Sequence, residues 1–589
     1  MIFANKIDIL GKMSEAKLIS ETAVNVAEFL CGLEKDLQGR DLQVLAAVAA
    51  LVSEWAASGS ICLTKNDIEK FAETNREALA KINFPDWKTI SEILSGSSCC
   101  TFNPDEPKPV VFSGDRIYFY KYWLYENQLA EKVMNMSRLE GKYACYAPKI
   151  KAVFAKLFDA KSSEQHKAAE TVISHRFSVI TGGPGTGKTT TVAKILAGIL
   201  SVCQEERILL AAPTGKAAAR MTEALKDSVE DKKGRNNFKE ISQDIRSKIL
   251  SFEGQTIHRI ISKKFGKPGK NRENPIYADL IIVDEASMID ISMFSELLDA
   301  LAEDTSLILL GDKDQLASVD VGNVLADICS SRDLLPEGTV SELKTSHRFD
   351  DAPGIGELAK AVNEQKTAGE ITAICQEYKK ELAFTTTEGI DIADTAKKKY
   401  AFLSDTNLKP EEILAKLNDF KVLCPSKEDS IGVEKLNDAI EKAIIGKDDS
   451  DAYYNGKPIM ITRNDYDNTH LVNGDCGVIL KRNGVTKAWF KQNGGIQSFS
   501  IPELPAFETV YAMTIHKSQG SEYDSVLVVL PEKDMQILTK ELLYTAITRA
   551  KKHIEIVSSE QILQNTLERS AARRSGFENA LKKLNQSHE

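Results

Sequence analysis

Residues 177–200, FSVITGGPGTGKTTTVAKILAGIL, constrain this chain more than any other stretch: an apolar run enters a glycine-rich turn that opens into a strong helix former. Residues 182–189 fit G-x-x-x-x-G-K-[ST] at every position. Glycines there let successive backbone N–H groups face one point at a helix N-terminus, where phosphate oxygens bind. Lys188 then reaches the β- and γ-phosphates, and the Thr189 hydroxyl ligates Mg²⁺. The stretch predicts a strand, loop and helix that bind a nucleoside triphosphate.

Apolar β-rich runs, each followed by a polar loop, recur in two series after this turn. The first series is 208–212, 280–283 and 306–310, and the second is 421–424, 510–514, 525–530 and 553–557. Such alternation is typical of parallel sheets with a ligand site at the carboxyl ends of the strands. Residues 456–505, inside the second series, are rich in turns and short β segments, which favours a small inserted barrel.

Residues 1 to about 150 show apolar residues at helical spacing, as in 22–37 and 41–58. A hairpin follows, with its turn at residues 113–115. The apolar run 44–52 is too short to cross a bilayer and predicts a buried helix opened by Asp41. Because no catalytic constellation occurs here, we predict a structural or docking domain.

The 589 residues carry a net charge of −10, which argues against a purely electrostatic nucleic-acid binder but permits a DNA channel lined locally with basic groups. The basic loop at 263–275 either touches a nucleic-acid backbone or is simply solvated. Ten cysteines show no spacing suited to zinc, and the N-terminus lacks the apolar region of a signal peptide. We therefore expect reduced thiols, a cytoplasmic location and no membrane partner.

Two further strand ends carry groups that hydrolysis of a triphosphate needs. The run 280–283 leads into Asp284 and Glu285, which suit Mg²⁺ binding and polarisation of the attacking water, respectively. The next run leads into GDKDQ, where Gln315 can sense the γ-phosphate. Far downstream, Arg348 and Arg549 are either surface salt-bridge residues or fingers that reach the triphosphate from a second domain.

In this order the motifs resemble those of superfamily 1 helicases, and most specifically the RecD family, over nearly the whole chain. The matching segments are GGPGTGKTTT (182–191), APTGKAA (212–218), TIHR (256–259), VDEASM (283–288), GDKDQLASVDVG (311–322), LKTSHRF (343–349), MTIHKSQGSEYD (513–524) and LLYTAITRAKK (542–552). ITRNDYD and NGDCG in the inserted segment and the tail RRSGFENAL are also similar to that family.

The resemblance implies which residues act. The implied catalytic residues are Lys188, Glu285, Gln315, Arg348 and Arg549, with Thr189 and Asp284 as metal ligands. The implied ATP-binding residues are Gln165, which reads adenine, and Gly182, Gly183, Pro184, Gly185, Thr186, Gly187, Lys188, Thr189 and Thr190. The implied contacts to single-stranded DNA are Pro213, Thr214, Gly215, Thr256, His258, Asn464, Thr514 and His516. The two histidines can otherwise be core or capping residues. ATP and Mg²⁺ are the implied cofactors.

The resemblance also implies an α/β fold of two RecA-like P-loop domains with parallel sheets, a small SH3-like β-barrel inserted in the second, and a mainly helical N-terminal domain. The predicted limits are 1–150 for the N-terminal partner-docking domain, 151–345 for the first motor domain, 346–455 with 509–589 for the second, and 456–508 for the barrel. In that family the N-terminal domain docks on a RecC-type subunit.

The implied activity is that of an ATP-dependent 5′→3′ DNA helicase in the exodeoxyribonuclease V complex. Its implied partners are RecB-like and RecC-like subunits in a heterotrimer, and single strands and duplex ends of DNA, in double-strand-break repair and homologous recombination. The polarity comes from the resemblance alone. Outside the motor motifs the sequence shows no nuclease constellation of spaced carboxylates with a lysine, so we expect exonuclease activity only from the complex.

Three other interpretations are open at this point. The first is a free-standing 5′→3′ helicase of the same superfamily. Co-purification with two large partners would distinguish a subunit of the complex from this free-standing enzyme. The second is a nucleotide switch or transporter ATPase without a motor. Against it, the sequence lacks the NKxD signature of guanine binding, and its LSG string comes before the phosphate loop. The third is a scaffold subunit with an inactive motor, which the intact hydrolytic positions oppose.

Overall fold

Two parallel β-sheets, each covered by helices on both faces, hold the segments singled out in the sequence. The computed structural model describes residues 7–80, 82–103, 106–231, 236–261, 269–346, 348–350, 352–428, 431–446, 451–465, 467–492 and 495–586. The predicted α/β architecture, with two parallel sheets, an antiparallel insert and a helical N-terminal region, is confirmed. No helix within these ranges is long and apolar enough to cross a membrane.

The N-terminal region is mainly helical and contains a small four-stranded sheet. Its elements are α1 (Asp8–Glu15), α2 (Glu21–Leu33), α3 (Gly39–Ala57), β1 (Leu63–Thr64), α4 (Lys65–Thr74), α5 (Arg76–Ala80), α6 (Trp87–Leu94), β2 (Cys100–Thr101), β3 (Val110–Ser113), β4 (Arg116–Phe119), α7 (Tyr120–Arg138) and α8 (Ala147–Leu157). The predicted hairpin is β3 and β4, joined where Gly114 has φ +64. The apolar run 44–52 is buried in α3 as predicted, but that helix begins at Gly39 rather than at Asp41.

The first parallel sheet has the strand order β10-β5-β9-β8-β6-β7, and with its helices we call it the first lobe. Its elements are α9 (Ser163–Ser174), β5 (Phe177–Gly182), α10 (Lys188–Leu200), β6 (Ile208–Ala212), α11 (Gly215–Glu230), α12 (Gln243–Leu250), β7 (Gly254–Thr256), α13 (Ile257–Ile261), β8 (Leu280–Val283), α14 (Ile291–Asp299), β9 (Ser306–Gly311), α15 (Val324–Ser330) and β10 (Val340–Leu343). Successive strand residues point to opposite faces. In β8, Ile281 and Val283 therefore pack in the core with α14, while Leu280 and Ile282 pack in the core with α10.

Two helices of the N-terminal segment, α7 and α8, pack against the first parallel sheet. The predicted domain limit at residue 150 falls inside α8, whose Ile150 and Phe154 are buried in the core with α10. Leu129 and Val133 of α7 are buried in the core on the other face. The domain limits stay predictions, but the N-terminal region and the first lobe share these two cores. Of the basic loop at 263–275, residues 263–268 lie outside the described residues.

The second parallel sheet has the order β11-β20-β19-β12-β18 and, with its helices, forms the second lobe. From here to the C-terminus the elements are α16 (Pro353–Asn363), α17 (Ala368–Glu377), β11 (Leu382–Thr385), α18 (Ile392–Lys399), α19 (Pro410–Lys416), β12 (Phe420–Cys424), α20 (Val433–Ile445), β13 (Lys457–Ile461), β14 (Cys476–Arg482), β15 (Val485–Gln492), β16 (Gly495–Ser500), β17 (Phe507–Thr509), β18 (Ala512–Thr514), β19 (Tyr523–Val529), α21 (Lys540–Ile547), β20 (Ala550–Val557), α22 (Glu560–Glu568) and α23 (Phe577–Gln586). As in the first lobe, the central strands are buried on both faces.

The insert in the second lobe is an antiparallel sheet of order β16-β15-β14-β13-β17. It has a small core of its own, in which Ile459, Ile479 and Phe490 are buried. Among the described residues its outer strands β16 and β17 do not pair with each other, so closure into an SH3-like barrel stays a prediction.

Helix α23 leaves the second lobe, although its residues fall in the range 509–589 that we predicted for the second motor domain. Phe577 and Leu581 are buried in the first-lobe core with α7. The intervening residues 569–576 therefore cross from the second lobe to the first, because α22 packs in the core of the second.

Candidate nucleotide and nucleic-acid site

The glycine-rich loop joins β5 to α10 at the carboxyl end of a central strand of the first lobe. Lys188 is the first residue of α10, and its Nζ donates to the carbonyl oxygens of Gly182 (2.6 Å) and Gly183 (3.1 Å). Gly185 and Gly187 have φ of +78 and +82, a region that favours glycine. The loop curls around its own lysine, so its local sequence is enough to place the ammonium group.

Gln165, on α9, lies directly against this loop. Its Nε2 donates to the carbonyl oxygen of Thr186 at 3.0 Å, and a Cβ on Gly187 would lie 2.3 Å from that nitrogen. The Thr190 side chain instead contacts α11, where its hydroxyl oxygen lies 3.4 Å from that of Ser228. The structure thus brings Gln165 to the loop but turns the Thr190 side chain towards a neighbouring helix.

Asp284 and Glu285 follow β8, two strands from β5 in the sheet. The Asp284 carboxylate accepts the backbone N–H of Glu285 at 2.8 Å. Burial, together with the neighbouring Glu285 charge, raises the pKa of Asp284, and Lys188 opposes this. Glu285 has φ +53, a conformation that costs a residue with a Cβ about 1–3 kcal/mol. Thr189 lies half-buried in the first turn of α10.

Gln315 lies in the loop after β9, between the lobes. Its Nε2 donates to Asp312 Oδ2 at 3.0 Å, and its Oε1 accepts Arg549 Nη2 of the second lobe, also at 3.0 Å. Tyr544, on α21, donates its hydroxyl proton to Asp312 Oδ2 at 3.0 Å. All four side chains are buried. A guanidinium group of the second lobe therefore contacts the predicted γ-phosphate sensor of the first.

Arg549 is held in this position by its own lobe. Its Nε donates to the carbonyl oxygen of Thr545 (3.1 Å) and its Nη1 to that of Ser521 (3.2 Å). Burial lowers its pKa, while the Glu285 carboxylate of the first lobe acts in the opposite direction. Because an arginine is protonated throughout the physiological range, a buried positive charge lies where the two lobes meet. We call this region of contact between the lobes the seam.

Arg348 follows β10 and lies against the glycine-rich loop. A Cβ on Gly185 would lie 2.1 Å from Arg348 Cβ, and Ser346 Oγ donates to the carbonyl oxygen of Pro184 at 2.8 Å. The guanidinium group points into the second lobe, where Nη2 pairs with Glu522 Oε1.

Glu522 is the common partner of several cations. Arg220, on α11 of the first lobe, pairs with the same Oε1 as Arg348, and Lys551 Nζ lies 3.4 Å from Oε2. Burial by itself would raise the pKa of Glu522, but Arg348, Arg220 and Lys551 lower it to about 2. The carboxylate thus joins Arg220 of the first lobe, and Arg348 of the segment between the two sheets, to the second sheet.

Sequence reasoning did not assign a role to Arg220, Asp312, Glu522 or Tyr544. Arg220 is a single cation in the apolar stretch AAARM, and Glu522 lies in the matched segment GSEYD. Such a charge in an apolar stretch is a signal of a buried ion pair, because lone charges are rarely buried without a partner. Nothing local could have named the partners, which lie 174 and 232 residues away for the Arg348–Glu522 and Asp312–Tyr544 pairs.

Three of the residues predicted to contact DNA lie at the carboxyl ends of parallel strands. Thr214, Thr256 and Thr514 follow or end β6, β7 and β18, of which the last two are outer strands. Each hydroxyl oxygen accepts the backbone N–H three residues ahead at 3.2 Å. These hydroxyls therefore cap the next turn of their own chain.

The other predicted DNA contacts differ in exposure. Pro213 is buried, His258 is exposed on α13, and His516 is half-buried. Burial lowers the pKa of His516. Asn464, in the insert, accepts the N–H of Asn473 at 2.7 Å.

The insert itself touches the first lobe. A Cβ on Gly215 would lie 3.0 Å from Val472 Cγ2 in the turn beside Asn473, and Lys491 pairs with Glu223 at 2.6 Å. The structure thus brings Asn464, through that turn, close to the 213–215 segment.

Three family models match this chain. Residues 15–118 match "RecBCD enzyme subunit RecD, N-terminal domain", residues 165–321 match "AAA domain", and residues 509–557 match "UvrD-like helicase C-terminal domain". The second match covers the glycine-rich loop and the strand ends of the first lobe, and it makes this an ATP-binding P-loop domain. The third covers β18, β19, α21 and β20.

Curated relatives match over almost the whole chain. "RecBCD enzyme subunit RecD" of Mycobacterium tuberculosis is 32% identical over 96% of this chain and 95% of that protein. The protein of the same name from Haemophilus influenzae is 30% identical over 98% of this chain and 100% of its own length. The solved structure of Bacteroides Pif1 bound to ssDNA is similar with a TM-score of 0.40 and 16% identity, over 73% of this chain and 97% of that one. The near-complete matches to the two RecD relatives, together with the match to the RecD N-terminal model, place the chain in the RecD family of superfamily 1 helicases.

Proposed function

We propose that the chain is an ATP-dependent 5′→3′ DNA helicase that works as the RecD subunit of an exodeoxyribonuclease V complex, with RecB-like and RecC-like subunits. It acts in the cytoplasm, on duplex ends and the single strands derived from them, in double-strand-break repair and homologous recombination. One observation carries the motor assignment: Arg549 of the second lobe donates to Gln315 of the first at 3.0 Å. A group that reaches from one lobe to the hydrolysis loop of the other ties hydrolysis to lobe closure.

Each predicted residue has one task in this proposal. Lys188 and the backbone N–H groups of the loop bind the β- and γ-phosphates, and Gln165 reads the adenine. Glu285 polarises the attacking water and Gln315 positions it, and the Arg348 and Arg549 guanidinium groups neutralise the transferred phosphoryl group. The Thr189 hydroxyl and the Asp284 carboxylate are hard oxygen donors that fit Mg²⁺, which neutralises phosphate charge when it is bound.

Stepping follows if both lobes hold the DNA. The 213–215 segment, Thr256 and His258 contact the strand from the first lobe, and Thr514 and His516 contact it from the second, with Asn464 of the insert beside them. These are short polar groups that suit sequence-tolerant contacts to the backbone. When the lobes close on ATP and reopen after hydrolysis, the two grips alternate and the strand advances.

Strand separation on forked duplexes tests the proposal. We expect the full chain with ATP, alone or with its two partner subunits, to open a fork that carries a 5′ single-stranded tail and to leave one with only a 3′ tail closed. Lys188→Ala is the negative control. Opening of the 3′-tailed fork but not the 5′-tailed one would contradict the polarity. Failure of the chain to co-purify with two large partner subunits would support the free-standing helicase instead. Digestion of linear duplex by the isolated chain that survives Lys188→Ala would contradict the absence of a nuclease site.

A further inference from the structure

Arg573 lies in the segment between α22 and α23 that crosses from the second lobe to the first. Its guanidinium group donates to four acceptors of a single loop, residues 316–322. Nη1 donates to Ser318 Oγ (3.2 Å), Asp320 O (2.5 Å) and Gly322 O (2.7 Å), and Nη2 donates to Ser318 O. A guanidinium group has its donors in one rigid plane, so four acceptors around it define the shape of the loop.

The backbone of a neighbouring glycine packs closely against this guanidinium group. Gly59, just after α3, has φ +89, and a Cβ there would lie 2.5 Å from Arg573 Cζ. The carbonyl oxygen of Gly59 accepts the N–H of Gly322 at 2.8 Å. The N-terminal region, the C-terminal tail and the 316–322 loop therefore meet at one point, and the guanidinium group fills it.

The 316–322 loop begins at the nucleotide site. It follows Gln315 directly, and the N–H of Leu316 donates to Thr545 Oγ1 of the second lobe at 2.9 Å. Gln519, in the segment that carries Thr514 and His516, donates to the carbonyl oxygen of Leu316 at 3.2 Å. This end of the loop is thus bonded to the second lobe directly beside the contact between Gln315 and Arg549.

The other end of the 316–322 loop faces the predicted DNA contacts. Val319 is 80% exposed, whereas Ser318 beside it is buried. Asp320 and Val321 line a cavity of about 300 Å³ together with His258 of the first lobe. Arg573 is also close enough to His516 for its charge to lower the pKa of that imidazole, after the larger effect of burial. The loop therefore lies between the DNA contacts predicted for the two lobes.

We propose that Arg573 is a positioning residue for DNA-dependent ATP hydrolysis: it holds the 316–322 loop in the shape that presents Val319 to a bound DNA strand and keeps Gln315 against Arg549. The inference rests on the proposed helicase function. Val319 is 80% exposed and apolar, and every base presents an apolar face to such a side chain, so a contact there carries no sequence preference. Loss of the guanidinium group frees the loop, so DNA binding no longer adjusts the position of Gln315.

The competing explanation is that Arg573 merely anchors the tail, and the chain offers a matched control for it. Arg574, the next residue, binds the N-terminal region instead: its Nε lies 2.9 Å from Asp67 Oδ1 and its carbonyl oxygen accepts the N–H of Ile61 at 2.8 Å. No hydrogen bond of Arg574 to the 316–322 loop occurs among the described residues. Tail anchoring predicts equal effects of the two substitutions.

The test is ATP hydrolysis by the full chain as a function of single-stranded DNA concentration, with wild type, Arg573→Ala, Arg573→Lys and Arg574→Ala. We expect Arg573→Ala to raise the DNA concentration for half-maximal stimulation roughly tenfold, the loss typical of one charge-assisted hydrogen-bonding group. Its KM for ATP without DNA should stay close to that of wild type. Arg573→Lys should be intermediate because an ammonium group lacks the planar fork, and Arg574→Ala should match wild type.

Equal shifts in Arg573→Ala and Arg574→Ala, or no shift in either, would overturn the inference. If Arg573→Ala does not fold, Val319→Ser replaces it, since this exposed side chain is not part of any described hydrophobic core. Val319→Ser should also raise the DNA concentration for half-maximal stimulation. A wild-type value for this variant would overturn the inference. Wild type without any stimulation by DNA would instead refute the proposed function itself.

Discussion

The two lobes hold their predicted catalytic groups in different ways. In the first lobe, Lys188 is held by carbonyl oxygens of its own loop, and Asp284 by the next residue in the chain. In the second, Arg549 is anchored by carbonyl oxygens of its own lobe, but it meets Gln315 only across the seam, where Glu522 also pairs with Arg220. The phosphate-binding half of the site thus forms locally, whereas the charge-neutralising half depends on how the lobes meet. Substitutions in the first lobe should reduce hydrolysis alone, and those at the seam should reduce hydrolysis and stability together.

The largest effect is expected for Lys188→Ala and Glu285→Gln, both in the first lobe. Each should reduce DNA-stimulated ATP hydrolysis to background, because phosphate binding or water activation is lost. The midpoint of thermal unfolding should stay close to that of wild type, since neither side chain belongs to a hydrophobic core. Steady-state hydrolysis and calorimetry check this, and near-normal turnover in either variant would refute the catalytic assignment.

Arg549→Lys sharpens the comparison from the other side of the seam. We expect hydrolysis to fall about 10³-fold, the lower end of the range for arginine fingers. A lysine keeps the charge but cannot serve Gln315, Thr545 and Ser521 at once. Unlike Lys188→Ala, this variant should also unfold at a lower temperature. Loss of hydrolysis with an unchanged unfolding midpoint would break the proposed difference between the lobes.

Glu522→Gln should reduce the free energy of unfolding by about 3 kcal/mol, because it removes the largely buried counter-charge of the half-buried Arg348 and Arg220. The pH dependence follows from the lowered pKa of about 2 against an ordinary value of 4.5. The carboxylate contributes its full stabilisation above about pH 4.5 and loses it as the pH falls towards about 2. The stability difference between wild type and Glu522→Gln should therefore be constant above pH 5 and shrink below it, as denaturant titrations at several pH values would show. A difference that grows on acidification would be inconsistent with this ion-pair cluster.

The smallest effect is expected for Tyr544→Phe, which removes one hydroxyl group from the seam. Asp312 keeps its hydrogen bonds to Gln315 Nε2 and to the N–H of Asp314. The loss should be about 1.5 kcal/mol in unfolding free energy, as for one hydrogen bond to a charged group, with a modest reduction in hydrolysis. If Tyr544→Phe proved as damaging as Glu522→Gln, the hydroxyl would have a role beyond this bond.

A second contrast lies within each sheet. In the first lobe β5, β8 and β9, which lead to Lys188, Asp284 and Gln315, are interior, while Arg348 follows the outer strand β10 and Thr256, a predicted DNA contact, ends the outer strand β7. In the second lobe Thr514 likewise ends the outer strand β18. Interior strands are rigid and buried on both faces, which suits a fixed phosphate site. Outer strands leave an open side along which a nucleic-acid strand can lie.

Local sequence determined the parts of this protein that depend on neighbouring residues. The run 177–182, the glycines and Lys188 specify strand, loop and helix by themselves, and β6 and β8 have the predicted bounds. The alternation of apolar runs and polar loops predicted the two parallel sheets, and the turn-rich range 456–505 predicted the insert. Helix boundaries were less certain, as α3 shows, because several residues near a terminus can begin a helix equally well.

Only the tertiary structure decided which distant groups meet. The pairing of Arg348 with Glu522, the contact of Arg549 with Gln315, the fit of Arg573 among the carbonyl groups of the 316–322 loop and the return of α23 to the first lobe all join residues far apart in the chain. The physical reason is that an arginine has many possible carboxylate and carbonyl partners along a chain of this length. Strand order and lobe packing, which no local pattern encodes, select among them.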